Sequence, residues 1–163
     1  MLPALTTYLN DHHAGAHAAL SLLDRLRGEQ PTRVAWVDQL RADIEQDRQT
    51  LSDVMRRLHV VQSSVKQISG WIGEQLLSLK LALEGPDHAF PFMQALEVLS
   101  IGILGKQKLW SALAAVAGAY PELSDVDFHA LEARAVDQHA RTERERIASV
   151  RMAFGTGNDG APA

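Results

Sequence analysis

Apolar residues recur along this chain in alternating steps of three and four, the spacing that lines one face of an α-helix. The first run is Leu2, Leu5, Leu9, His12, Ala16, Ala19, Leu23 and Leu26. The second is Val37, Leu40, Ile44, Asp47, Leu51, Val54 and Leu58. The third is Leu96, Leu99, Ile103, Lys106, Trp110 and Leu113. Each stripe is interrupted near its middle by one polar residue: His12, Asp47 and Lys106. A lone polar or charged group in such a seam is costly to bury. The three together therefore predict either a closed polar network or a metal site.

Turn residues set the expected boundaries. Pro3 suits a first helical turn and Gly28 a stop, giving a helix over residues 3–27. Pro31 opens a second helix, over 31–58, and the short turn between makes the two antiparallel neighbours. A β-branched interruption follows at residues 59–62. Ser63 or Ser64 can then cap a shorter helix running to residue 83, with Val65, Ile68, Trp71, Ile72, Leu76, Leu79 and Leu83 as its apolar stripe. Gly85, Pro86 and Pro91 mark a loop, after which a third long helix spans 91–119. Asp125 is the expected cap of a fourth, ending near residue 154. Residues 1–154 thus read as one helical domain and 155–163 as a loose tail. Trp36, Trp71 and Trp110 fall on three different helices and are candidates for one core or for a dimer surface.

Four long helices with a shorter one between the second and third form an all-α pattern that resembles the ferritin-like four-helix bundle, in which a long crossover carries the chain back along the bundle. An up-and-down five-helix bundle gives much the same pattern. Three stretches, Tyr8-Leu-Asn-Asp-His12, Asp43-Ile-Glu-Gln-Asp-Arg-Gln-Thr-Leu51 and Gly102-Ile-Leu-Gly-Lys-Gln-Lys-Leu-Trp110, are similar to a group of uncharacterised bacterial helical proteins. That likeness implies no chemistry and no catalytic residue.

The ferritin-like resemblance implies a specific metal test. A di-iron bundle uses a Glu on each of two helices and a Glu-x-x-His on each of the other two. Here the metal-ligand candidates are His12, Glu45, Asp47, Glu97, Glu132 and His139. Arg48 stands where a His would follow Glu45, the fourth helix has no Glu-x-x-His, and Lys106 adds positive charge where carboxylates are needed. The polar seam residues accordingly predict a structural layer. Asp47 pairs with Lys106 on a facing helix, His12 lies nearby, and Gln138 or His139 closes the network. His13 and His17, one helical turn apart, are expected on a solvated or partner-facing surface.

The 163 residues carry no cysteine, which excludes thiolate nucleophiles and Cys-ligated metal centres. A net charge of −4 offers no general attraction for nucleic acid. Residues 1–11 do not read as a signal peptide, and Glu97, Lys106 and Lys108 argue against a membrane span in the most apolar helix. These features fit a cytoplasmic protein. No phosphate loop or serine elbow is present. The expectation is a noncatalytic bundle with a structural or protein-interaction role, no cofactor, and surplus apolar surface suited to a homodimer. The alternative is a divergent ferritin-like metal-binding protein, holding a divalent metal, with redox or stress-related activity.

Overall fold

The computed structural model describes residues 3–29, 31–63 and 89–155, and within them the regular structure is all helical. The elements are α1 (Pro3–Glu29), α2 (Val34–Arg57), α3 (Ala89–Val116) and α4 (Phe128–Ala153), with single 3₁₀ turns at Pro31–Arg33, Ala117–Ala119 and Pro121–Leu123. The shorter helix expected over 64–83 and, apart from Gly155, the tail expected over 155–163 lie outside the described residues.

Several expected boundaries shift for local reasons. Gly28 does not stop α1, which continues to Glu29. Pro31 opens a 3₁₀ turn, and the α-helix begins three residues later. The cap of α4 is Asp127, not Asp125: Asp127 Oδ1 accepts the Ala130 N–H at 2.9 Å. Asp125 is occupied elsewhere, by Arg57 at the far end of α2. The end of α2 is built on His59, which holds a left-handed φ of 53°. His59 N–H donates to the Arg56 carbonyl at 3.0 Å and Val60 N–H to the Met55 carbonyl at 2.8 Å. These are the two bonds of a Schellman cap, with His where glycine is usual. Val60 and Met55 are both buried, which supplies the apolar contact that accompanies such a cap.

Side-chain pairs give the helix directions. Between α1 and α2, Arg27 meets Asp38, Asp24 meets Arg41, and His13 meets Ser52, so the two are antiparallel. Between α2 and α4, Asp43 meets Arg141 and Asp47 meets Gln138 and Arg134, again antiparallel. Between α3 and α4, Phe90 lies 6.2 Å from Phe154, Ser100 bonds Glu143, and Lys106 bonds Gln138, also antiparallel. It follows that α2 and α3 run in the same direction. The end of α2 and the start of α3 therefore lie at opposite ends of the bundle, and the four described helices are not a sequential up-and-down bundle.

The core divides into two apolar halves. One gathers Leu23 and Leu26 of α1, Val37 and Leu40 of α2, and Phe92 and Leu96 of α3. The other gathers Leu9, Val54, Met55, Trp110, Leu113 and Phe128. Trp36 borders the first half and Trp110 sits in the second, so these two indoles do not meet. Helix α3 contributes to both halves and is the central element. Together with the 3₁₀ turn that follows, it is long and apolar enough to cross a membrane, by length and mean hydropathy alone. In the bundle Leu96, Leu99, Ile103, Leu109, Trp110 and Leu113 are buried in the core, while Phe90, Ile101, Leu104 and Val116 stay exposed. Helix α4 differs: its buried residues after Phe128 are Ala135, Gln138, Thr142 and Ser149, which offer little apolar area.

The left-handed backbone at His59 costs a residue with a Cβ about 1–2 kcal/mol, partly balanced by the greater freedom glycine has when unfolded. His59→Gly is expected to stabilise the protein by about 0.5–1 kcal/mol. Thermal unfolding followed by circular dichroism should show this as a rise of roughly 1–4 °C in Tm.

Candidate functional site

Between the two apolar halves lies a buried ion network. Asp47, on the inner face of α2, is 2% exposed. Its Oδ2 accepts from Lys106 Nζ of α3 and, at 3.0 Å, from Gln138 Nε2 of α4. Its Oδ1 accepts from Arg134 of α4. Lys106 donates a second bond to Gln138 Oε1, which closes a triangle among three helices. Gln138 is fully buried, and Thr142, also buried, donates to its carbonyl at 2.9 Å. Burial pushes the Lys106 ammonium below its ordinary pKa, while the Asp47 carboxylate beside it pulls the other way. The Lys106 side chain is 13% exposed, so water screens the pair only weakly.

Further polar pairs extend from this layer along α4. Arg141 donates to Asp43 at 2.6 Å and to Asp137 at 2.8 Å. Glu145 pairs with Arg33. Glu143 accepts from Ser100 at 2.5 Å and from Arg146 at 2.8 Å, and these bonds, Arg146 foremost, hold its carboxyl at about 2. On the other side of the bundle, Arg48 grips Glu45 at 2.7 Å and lowers that carboxyl to about 2 as well. Asp47 and Glu45 are thus both neutralised by cations of this chain.

The structure brings Asp47, Lys106 and Gln138 into direct contact, and His12 shares the wall of one cavity with Asp47 and Lys106. It does not bring in His139, which forms no bond to the network. The His12 ring packs edge-on to Tyr8, with centroids 4.6 Å apart, and burial lowers its pKa against the pull of Asp11. His13 is a correction to the expected solvated histidine face. It is 7% exposed, its Nε2 lies 3.1 Å from Ser52 Oγ, and burial lowers its pKa. The buried stripe of α1 passes through Leu9, His13, Leu20 and Leu23, one position away from the seam read through His12 and Ala16.

Arg134 is the functional residue that sequence reasoning missed. It stands four residues before Gln138, one turn along the same face, yet in sequence it sits among the mixed charges of an apparently solvated helix. A long guanidinium stem lets a residue at the edge of a face place its charge inside. The pattern of alternating charge conceals that reach.

The metal candidates do not converge. Asp47 is bonded by two cations and an amide, Glu45 is held by Arg48, and Glu97 lies on the exposed side of α3 near Arg146, at 3.9 Å. Glu132 and His139 on α4 bond neither Asp47 nor Lys106. Among the described residues, no three His, Asp or Glu side chains form a group able to hold a metal ion.

Beside the network is a cavity of about 340 Å³, bounded by α1, α2 and α3. Its walls are small where α1 and α3 face each other: Gly15, Ala16 and Ala19 on one side, Gly102 and Gly105 on the other. The seam residues His12, Ala16 and Ala19 border this space because their side chains are too short to fill it. Ile44, Asp47 and Leu51 line it from α2.

Removing one member of a buried pair leaves the other charge unpaired, at a cost of about 3–5 kcal/mol. Asp47→Leu is expected to fall near 3 kcal/mol, because Gln138 still accepts from Lys106. In urea this lowers the midpoint by roughly 1–2 M. Lys106→Met leaves Asp47 with Arg134 and Gln138 and is expected to change stability by less than about 1 kcal/mol. Equilibrium urea unfolding of the two variants checks the inequality.

Comparison of the chain with protein-family models, with curated proteins and with solved structures finds no match.

Proposed function

We propose that this chain is a noncatalytic, ferritin-like bundle that works as a self-associating structural or protein-interaction module. The observation that carries the reading is the state of Asp47. Its two oxygens accept from Lys106, Arg134 and Gln138, so two cations and an amide of the protein already neutralise and hold the carboxylate at the centre of the bundle. A general acid or base needs a proton to exchange with substrate, and a metal ion here would have to compete with those two cations. The parallel course of α2 and α3 supports the ferritin-like topology. In this chain an ion network stands at the depth where such bundles place metal ligands.

Self-association is supported by an apolar strip on the outer face of α4. Val136, Ile147 and Phe154 are exposed, and Val136 and Ile147 are eleven residues apart, three helical turns. Ala140 lies between them on the same side, so the strip is flat enough for a second copy to pack on it. A two-fold arrangement would pair the strip with itself.

Multi-angle light scattering over a range of concentrations should give a mass near twice the 17.9 kDa of one chain. Ile147→Asp places a charge in the strip and is expected to give the monomer mass with unchanged helical circular dichroism. A wild-type chain that stays monomeric at the highest concentration contradicts the reading.

A further inference from the structure

We infer that the cavity between α1 and α3 is a binding site for a small, uncharged, largely apolar molecule carrying one hydrogen-bond acceptor. This goes beyond the self-association reading and does not rest on it. The first observation is size. A cavity of about 340 Å³ is roughly twice the ~150 Å³ engineered void that takes up benzene. Three of its lining residues, Asp11, Ile101 and Gly102, are exposed, so the space is open to solvent and a molecule can enter. The space also follows from the sequence. An added Cβ at Gly15 or Gly102 meets nothing within 4 Å, so glycine at these mid-helix positions leaves room that larger residues would occupy.

The second observation is a polar ring on the wall. His12 borders the cavity, and its ring nitrogens bond no described residue. Burial favours its neutral form, in which one ring nitrogen carries a hydrogen and can donate to an acceptor oxygen on a bound molecule.

The third observation sets the charge. The cations on the wall are Lys106 and Arg48. Lys106 is bonded by Asp47 and Gln138, and Arg48 by Glu45. Neither has a free charge to offer a carboxylate or phosphate, and the remaining walls are chiefly aliphatic. An anionic ligand would be desolvated there with no partner, which is costly, and the wall's outlying carboxylate, Asp11, is exposed to water, which screens its pull on a cation. The class that fits is therefore a neutral ring system or short alkyl chain ending in a carbonyl, ether or hydroxyl oxygen.

The test uses the full chain and an uncharged naphthyl ketone dye, 6-propionyl-2-(dimethylamino)naphthalene, whose emission moves to the blue in apolar surroundings. The expected result is a saturable blue shift with one dye per chain. Gly102→Leu, which puts a side chain into the cavity, should weaken binding at least tenfold. His12→Phe keeps an aromatic ring but removes the donor, and should weaken the ketone at least threefold while leaving naphthalene itself within twofold. An anionic anilinonaphthalene sulfonate should bind at least tenfold more weakly than the ketone. Urea unfolding of each variant confirms that it is folded. Absence of saturable binding overturns the proposal, as does full-strength binding to Gly102→Leu or equal binding of the sulfonate. If the wild-type chain rejects the dye and Trp71→Ala accepts it, the chain's own residues 65–83 fill the space, and the proposal is likewise overturned.

Discussion

One carboxylate holds this bundle in register. Asp47 projects from α2 into the interior and accepts from Lys106 of α3 and from Arg134 and Gln138 of α4. A buried carboxylate without partners would cost several kcal/mol, roughly, and each partner here comes from a different point along two other helices. Sliding any of the three by one turn breaks at least one bond and strands a charge. Apolar contacts tolerate such a slip far better, because one Leu or Ala can replace another against the same surface. The network therefore supplies positional discrimination that the two apolar halves on either side of it lack.

Helix α4 shows how far this polar logic extends. Its inward residues after Phe128 are small or polar, so burial alone gives it little reason to dock. It is held by pairs that advance in step along its neighbours: Asp47 with Arg134 and Gln138, Asp43 with Arg141, Arg33 with Glu145, and Ser100 with Glu143. The more exposed members of this set contribute only tenths of a kcal/mol each, roughly. Their value is geometric. The opposite flank of the bundle follows the reverse design, with glycine and alanine where α1 faces α3 and a cavity where larger side chains would pack.

Much of this was legible in the sequence. The steps of three and four located the long helices, and the polar residues trapped in two of those seams identified Asp47 and Lys106 as a facing pair. The logic worked because isolated buried charge is penalised strongly enough to force a partner. It failed where the signal was a matter of one residue of helical phase. On α1 the buried histidine is His13, bonded to Ser52, whereas His12 borders the cavity. A helix turns by about 100° per residue, so adjacent positions exchange core for flank with little change in the apolar pattern. Arg134 was hidden because its stem crosses from an edge position into the core. Asp125 and Asp127 are equivalent as sequence caps, and only the competing demand of Arg57 separates them.

The central claim is that Asp47 and Lys106 act as a unit that enforces register at some cost in stability. A double-variant cycle in urea tests this most directly, with Asp47→Leu and Lys106→Met made singly and together. The account predicts strong coupling: the double variant should recover at least half of the stability lost in Asp47→Leu, because no lysine charge is left stranded. Simple additivity of the two single changes, within about 0.5 kcal/mol, would contradict it.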